Sequence, residues 1–151
     1  MALFEHDFKN FPELSNSQLQ ELEFVSPFPQ IKEDFTAEVV KVHDGDTCTL
    51  RVGFRDFDFP LRFGGIDAPE LNAGGEEARK YVKDWIEGKS VYVILDEKRV
   101  GKYGRLLGTI LYMGLNVSDT LLRLGYAVPF GKKMEGKIPS LNKDLNLDKW
   151  L

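Results

Sequence analysis

The sequence predicts a mainly β (α+β) fold, in which a small five-stranded barrel with about three helices follows an N-terminal extension. The first observation is the texture of the chain after residue 34, where segments rich in β-forming residues alternate with loops containing glycine and proline. The second is one amphipathic helix between the third and fourth of these segments. This order favours a closed barrel of the OB type, although an open α+β sheet would produce almost the same pattern.

The strand segments are defined by composition and by alternation. From Thr47 onward, apolar Cys48, Leu50 and Val52 alternate with polar residues, which is the pattern of a half-buried strand. The alternation also predicts that Cys48 is a core residue rather than a reactive thiol, because no cationic or metal-binding residue flanks it. Strands are predicted over residues 35–42, 47–52, 56–63, 91–95 and 106–113.

The clearest helix is predicted over residues 76–87. Its apolar residues recur at helical spacing and form one stripe. Glu76 and Glu77 lie in the first turn, where they complement the helix dipole, and Gly88 closes the segment. Shorter helices are predicted over residues 16–22, from the N-cap pair of Asn116 and Asp119 through residue 124, and over residues 140–150.

The composition limits the classes of protein that need consideration. A chain of 151 residues with 42% hydrophobic side chains fits one domain with a real core. No run approaches the roughly 20 apolar residues that a membrane span requires. The single cysteine excludes an internal disulfide and suits a reducing compartment, and the N-terminus shows no secretory signal. We therefore expect a cytoplasmic protein.

The charge distribution divides the chain into an acidic, aromatic-rich extension at residues 1–34 and a domain at residues 35–151. The extension has seven acidic residues and two lysines, a net charge of −5, whereas the other 117 residues carry 18 basic and 17 acidic side chains. Four phenylalanines interspersed among these charges predict packing against the barrel or against another subunit, which makes residues 1–34 a candidate surface for self-association or for a partner. Its carboxylates either face solvent on a structural brace or compete with an anionic substrate. The four aromatics are Phe4, Phe8, Phe11 and Phe28.

Three short motifs carry the chemistry of the sequence. Taken singly, each has an ordinary interpretation: a β-hairpin turn, a polar loop with a salt bridge, and a solvated basic turn. Together they supply carboxylates, arginines and an exposed tyrosine, which are groups suited to a metal ion and a phosphate. In chain order they are Asp44-Gly45-Asp46-Thr47, then Arg62-Phe63-Gly64-Gly65-Ile66-Asp67-Ala68-Pro69-Glu70, then Gly101-Lys102-Tyr103-Gly104-Arg105.

In this order the motifs resemble those of the staphylococcal nuclease family. The resemblance covers about residues 35–128, with a weaker echo at residues 145–150. It implies an OB-type barrel and one Ca²⁺ in each active site, held by the carboxylates of Asp46 and Asp67 and by the backbone carbonyl of Ala68.

The same resemblance implies a role for each remaining motif residue. Glu70 matches the carboxylate that activates or orients the attacking water, and Arg62 and Arg105 match two arginines that grip the scissile phosphate. Such forked guanidinium groups hold two phosphate oxygens at once and stabilise charge that develops during hydrolysis. Four further residues match positions that contact the nucleotide (Lys102 and Tyr103) or support the site (Asp44 and Thr47).

The chain departs from the family pattern at several points. Ala68 stands where family members usually have threonine. The loop between Glu70 and the helix is short, whereas the family prototype has a long, lysine-rich loop there. Where family members often carry tyrosines near the nucleotide, this chain reads Pro129-Phe130-Gly131-Lys132-Lys133. The N-terminal extension has no counterpart in the family pattern.

The resemblance implies a calcium-dependent nuclease, a hydrolase that cleaves phosphodiester bonds in DNA and/or RNA with little sequence specificity. The alternative is a catalytically silent OB-fold module that binds single-stranded nucleic acid through aromatic and basic side chains. A module that only binds has no need for the combined set of carboxylates and arginines. The sequence leaves open the choice between DNA and RNA, and between endonuclease and exonuclease action.

Overall fold

The computed structural model describes residues 5–69, residue 71 and residues 74–131. Several predictions fall outside these ranges, namely the role of Glu70, the helix at residues 140–150 and the family echo at residues 145–150. Within the described ranges, no helix is both long and apolar enough to cross a membrane.

The described residues form eight strands and three α-helices, with a short 3-10 helix at Glu23–Val25. The strands are β1 (Phe35–Asp44), β2 (Thr47–Arg51), β3 (Phe59–Phe63), β4 (Ile66–Asp67), β5 (Ser90–Val100), β6 (Leu106–Tyr112), β7 (Leu115–Asn116) and β8 (Val128–Pro129). The helices are α1 (Asn16–Leu22), α2 (Gly75–Ile86) and α3 (Val117–Leu124).

Five strands close into a barrel. They pair in the order β3-β2-β1-β5-β6, and a parallel pairing between β3 and β6 joins the two ends. Leu61 lies opposite Leu106 and Phe63 lies opposite Gly108 in this closing register. A side chain at Gly108 would collide with a neighbouring strand, since its Cβ would lie 2.9 Å from the carbonyl oxygen of Ile94. The predicted five-stranded OB-type barrel is confirmed, and the open sheet is wrong because β3 and β6 are paired.

The interior of the barrel is filled by the residues that alternate along the strands. Cys48 and Leu50 are fully buried, as the alternation predicts, and burial raises the pKa of the Cys48 thiol. Helix α2 covers one end of the barrel and contributes the buried side chains of Ala78, Val82 and Ile86. Helix α2 packs directly against β1, the strand that leads into the first motif.

The element boundaries differ from prediction in two instructive places. β5 continues to Val100, whereas the predicted strand ended at residue 95. The extra residues were missed because residues 96–99 are all polar and show no alternation. Its pairing with β6 breaks between Leu95 and Val100, which leaves a bulge near the end of the hairpin. The short strands β4, β7 and β8 were not predicted, since two residues are too few to show periodicity.

The N-terminal extension packs against the barrel through a buried ion pair. The side chains of Glu13 and Arg55 are 2% and 1% exposed, and their carboxylate and guanidinium groups are hydrogen-bonded. The Arg55 guanidinium also lies within 4.9 Å of the ring centroids of Phe28, Phe57 and Phe59. The expected contact of the extension with the barrel is therefore present, whereas self-association through residues 1–34 stays a prediction.

Candidate active site

The first motif is a tight turn between β1 and β2. Within it, the backbone N–H of Asp46 donates to Asp44 Oδ1 at 3.0 Å. Gly45 has no room for a side chain, since its Cβ would lie 2.7 Å from Ala68 Cβ and 2.9 Å from Ala78 Cβ. The turn is thus pressed between the loop that follows β4 and helix α2, and this packing fixes the direction of Asp46.

Asp46 lies nearly buried at the centre of the site. Its Oδ2 accepts a hydrogen bond from the backbone N–H of Ala68 at 2.8 Å, and its Oδ1 accepts from the Thr47 hydroxyl at 3.1 Å. Burial raises the pKa of Asp46 to about 6, and the neighbouring Asp44 carboxylate acts in the same direction, whereas Ala68 N–H and Arg62 oppose it. A carboxylate in this environment gains stability from additional positive charge.

Arg62 projects from β3 and lies between two carboxylates. Its Nη2 is 2.7 Å from Asp67 Oδ1 and 3.5 Å from Asp46 Oδ2. Its Nη1 donates to the backbone carbonyls of Phe63 and Ile66 at 2.7 and 2.8 Å. These bonds orient the guanidinium plane before any ligand binds.

Asp67 is held by the two-stranded sheet of β4 and β8. In that sheet Asp67 lies opposite Val128, and its Oδ2 accepts a hydrogen bond from the backbone N–H of Gly131 at 3.1 Å. The same pairing brings Phe130 over the site, with its ring centroid 5.9 Å from Arg62 Cζ. Residues 128–131 therefore form one rim of the cleft.

The third motif joins the first through Arg105. Arg105 Nη1 lies 3.4 Å from Thr47 Oγ1, and Thr47 in turn is bonded to Asp46. The Arg105 Cζ lies 5.6 Å from the ring centroid of Tyr103, and Lys102 Nζ lies 5.1 Å from the same centroid. The turn is closed by a hydrogen bond of 3.0 Å from the N–H of Gly104 to the carbonyl of Gly101.

These groups surround a cleft of about 640 Å³. Its charged lining comprises four cationic side chains and two carboxylates, so a polyanion meets a net positive wall. Two exposed aromatic rings, Tyr103 at 63% and Phe130 at 69%, also line it. The charged lining residues are Arg62, Asp67, Asp96, Lys98, Lys102 and Arg105.

Asp96, Lys98 and Phe130 line the cleft although no role was predicted for them. Asp96 was missed because the fourth predicted strand ended at residue 95. Gly64 makes room for the Asp96 carboxylate, whose Oδ2 would lie 1.8 Å from a Cβ at that position. Burial raises the pKa of Asp96.

The described residues of the predicted site come together in this cleft and its walls. Direct contacts link Asp46 to Ala68, Thr47 and Arg62, and link Arg62 to Asp67. The geometry of Glu70 lies outside the described residues. The predicted residues that the structure describes here are Asp44, Asp46, Thr47, Arg62, Asp67, Ala68, Lys102, Tyr103 and Arg105.

The oxygen donors of the site are of the kind that bind a divalent cation. The carboxylates of Asp46 and Asp67 approach the same nitrogen of Arg62, so they converge on one place. Across residues 5–69, 71 and 74–131, no three His, Cys, Asp or Glu side chains are grouped as a metal site. A Ca²⁺ site completed by a backbone carbonyl and waters does not require a third side chain from that group, so the residues fit a hard, oxygen-ligated cation.

Comparison with known families decides the assignment of the chain. The model of the family described as staphylococcal nuclease homologue matches residues 60–146, which is more than half of the chain. The chain belongs to the staphylococcal nuclease family. The match includes the second and third motifs, and the barrel places the Asp44–Thr47 turn beside both of them.

Three similar proteins give the scale of the relationship. An uncharacterized protein of Methanocaldococcus jannaschii is 28% identical over 144 residues, covering 76% of this chain and 69% of that protein. An uncharacterized endonuclease of Haemophilus influenzae is 34% identical over 98 residues, covering 64% of this chain and 53% of that protein. The micrococcal nuclease of Shigella flexneri is 40% identical over 78 residues, covering 51% of this chain and 42% of that protein. The chain thus spans about half the length of the endonuclease of Haemophilus influenzae and of the micrococcal nuclease of Shigella flexneri.

Proposed function

We propose that the protein is a calcium-dependent nuclease that hydrolyses phosphodiester bonds in DNA and/or RNA with little sequence specificity. Membership of the staphylococcal nuclease family and relatives named as nucleases support nuclease activity in general. The observation that carries the specific proposal is that Arg62, Arg105 and Asp67 line one cleft. The nearly buried Asp46 carboxylate lies beside it, 3.5 Å from the Arg62 guanidinium. Hydrolysis brings an anionic phosphodiester and a hydroxide-like nucleophile together, so the site needs positive charge from the arginines and from a cation held by the carboxylates.

In this proposal the two arginines bind the non-bridging oxygens of the scissile phosphate. Arg62 is oriented in advance by the carbonyls of Phe63 and Ile66, and Arg105 is oriented by its turn and by Thr47. Donors that are fixed before the reaction stabilise developing negative charge without reorganisation. A guanidinium fork suits this task because it contacts two oxygens at once.

Asp46, Asp67 and the carbonyl of Ala68 are the proposed ligands of one Ca²⁺. When bound, the ion supplies positive charge against the phosphate and lowers the pKa of a coordinated water. Thr47 positions Asp46 through its hydroxyl, and Asp44 positions it through the Asp46 backbone N–H. Glu70 is proposed to accept the proton of the attacking water, on the strength of its match to the family motif.

In this proposal the flanking nucleotides stack on the exposed aromatic rings of the cleft. Tyr103 and Phe130 both line the cleft, and each has an arginine near its ring. Stacking of bases on such rings contributes about 1–3 kcal/mol per base and does not depend on sequence. Binding by stacking is consistent with a nuclease of little sequence specificity. Lys102 adds a cation beside the Tyr103 ring.

The alternative function is a silent module that binds single-stranded nucleic acid. One assay separates the two: the protein is incubated with single-stranded DNA, duplex DNA or RNA, in Ca²⁺, Mg²⁺ or EDTA. Cleavage in Ca²⁺ that EDTA and Asp46→Ala abolish supports the nuclease, with Asp58→Ala as a surface control. Binding without cleavage in every metal overturns the proposal and favours the silent module.

A further inference from the structure

The hairpin between β5 and β6 carries Lys102, Tyr103 and Arg105, and it is contacted by the described part of the N-terminal extension (residues 5–34, the N-terminal arm). Asn16 Nδ2 donates to the carbonyl of Glu97 at 3.0 Å. This contact falls within the bulge between Leu95 and Val100, where the register of β5 with β6 is broken. The arm thus makes a hydrogen bond to the hairpin where its regular pairing with the barrel is interrupted.

Arg99 of the hairpin donates four hydrogen bonds to the arm. Its Nη1 donates to the carbonyl of Leu14 and to Asn16 Oδ1, both at 3.0 Å. Its Nε and Nη2 both donate to the carbonyl of Ile31, at 2.9 and 2.6 Å. Arg99 has a φ of 63°, a left-handed conformation that is unfavourable for a residue with a side chain. The arm contacts hold this residue in place.

Phe11 of the arm contacts the turn at residues 101–105, which carries Arg105. A Cβ at Gly104 would lie 2.6 Å from Phe11 Cδ1, so the ring packs directly on the backbone between Tyr103 and Arg105. Phe11 is 43% exposed, and its contact with the turn is therefore not part of the central core. The ring fits because Gly104 has no side chain and adopts a φ of 77°.

The arm that presents Phe11 is itself firmly held. The backbone N–H of Leu14 donates to Gln30 Oε1 at 2.7 Å, and Gln30 Nε2 donates to the carbonyl of Pro12 at 2.9 Å. Glu13, between them, forms the buried ion pair with Arg55. Phe11 therefore precedes a fixed segment, and its ring has a defined position on the turn.

We propose that Phe11 is a positioning residue for Arg105, through which the N-terminal arm fixes the phosphate-binding turn. Arg105 has a long hydrogen bond to Thr47, at 3.4 Å, so the direction of its guanidinium depends on the backbone that Phe11 supports. A displacement of about 1 Å at a catalytic group can lower a rate about a hundredfold. The arm then acts as a brace, and none of its described residues lines the cleft as a competitor of the substrate.

The first test measures the turn without substrate. Hydrogen exchange of the Gly101 and Gly104 amides, which donate to the carbonyls of Arg105 and Gly101, reports the order of the turn. Phe11→Ala should speed exchange in the peptide that spans residues 101–105. Phe54→Ala is the matched control, because Phe54 is also a half-exposed phenylalanine but packs on Phe35. Equal exchange in Phe11→Ala and wild type overturns the proposal.

The second test rests on the proposed function and uses a double-mutant cycle on kcat/KM. Phe11→Ala should lower kcat/KM about tenfold in the wild-type background, but by no more than about twofold in an Arg105→Ala background. Phe54→Ala should have the same effect in both backgrounds, and Phe11→Tyr should retain the wild-type rate. Independent, multiplicative effects of Phe11→Ala and Arg105→Ala overturn the proposal. A wild-type protein that cleaves nothing overturns the proposed function instead, and hydrogen exchange still decides the role of Phe11.

Discussion

Arg62 and Asp67 form an ion pair of 2.7 Å although their proposed ligands differ. Arg62 is proposed to hold the phosphate and Asp67 the calcium ion. Both side chains are largely shielded from solvent, so each needs an opposite charge at all times. A cation at Asp67 and a phosphate at Arg62 supply those charges together, and either ligand bound singly leaves one partner less well neutralised.

This relationship predicts that Ca²⁺ and a nucleotide bind cooperatively. Each ligand should raise the affinity of the other about tenfold, and the two enhancements should be equal, since coupling between two sites is reciprocal. Calorimetric titration of a nucleoside bisphosphate with and without Ca²⁺, and of Ca²⁺ with and without the nucleotide, measures both. Independent binding of the two ligands would show that the ion pair does not couple the sites.

The proposed calcium ligands lead to a second prediction. Asp46→Ala and Asp67→Ala should each weaken Ca²⁺ binding at least about tenfold, since even outer-shell changes at metal sites have effects of this size. Asp58→Ala removes a carboxylate of a surface pair with Arg51 and should leave Ca²⁺ affinity unchanged. Calorimetry in which both site variants retain the wild-type affinity would exclude this ligand set.

Much of the fold was predictable because long strands and helices carry a periodic pattern. The alternation around Cys48 and Leu50 reported the inner face of the barrel, and the cap at Asn116 marked the start of α3. The barrel closure was less accessible, because it depends on a pairing between β3 and β6 whose partners, such as Leu61 and Leu106, lie 45 positions apart in the sequence. No local pattern distinguishes that pairing from an open sheet.

The site divides in the same way. Motif residues such as Asp46 and Arg62 were predictable because their types and spacing carry the resemblance to a family. Asp96 and the contact of Phe11 with Gly104 were not, because each depends on two distant segments meeting in space. A glycine in the sequence does not reveal whether it permits a turn or makes room for a neighbouring side chain.

Gly45 provides a test of how the first motif is positioned. Gly45→Ala places a methyl group 2.7 Å from Ala68 Cβ and 2.9 Å from Ala78 Cβ, so the turn must move away from helix α2. We expect a loss of about 1–3 kcal/mol in the free energy of unfolding, which is typical of overpacking. Gly53→Ala is the matched control, because no atom lies within 4 Å of its added Cβ. Chemical denaturation with equal midpoints for the two variants would contradict this account of the turn.

Cys48 is expected to be chemically silent in the folded protein. Its side chain is fully buried, and burial raises its pKa, so the reactive thiolate is scarce. A thiol reagent such as dithionitrobenzoate should react only as the protein unfolds, with one thiol released per chain in denaturant. Rapid modification under native conditions would show that the barrel opens at β2 far more readily than its packing indicates.

The two arginines should differ in what their loss does to the fold. Arg105→Ala should lower kcat about a hundredfold or more, the usual effect of removing one preorganised phosphate donor, with little change in melting temperature. Arg62→Ala should lower kcat to a similar extent and also lower the melting temperature. It leaves Asp46 and Asp67 without their shared guanidinium, and it removes the donor to the carbonyls of Phe63 and Ile66. Arg51→Ala, at a surface ion pair, is the control for both measurements. Wild-type turnover in Arg62→Ala and Arg105→Ala, with native circular dichroism, would place the phosphate site elsewhere.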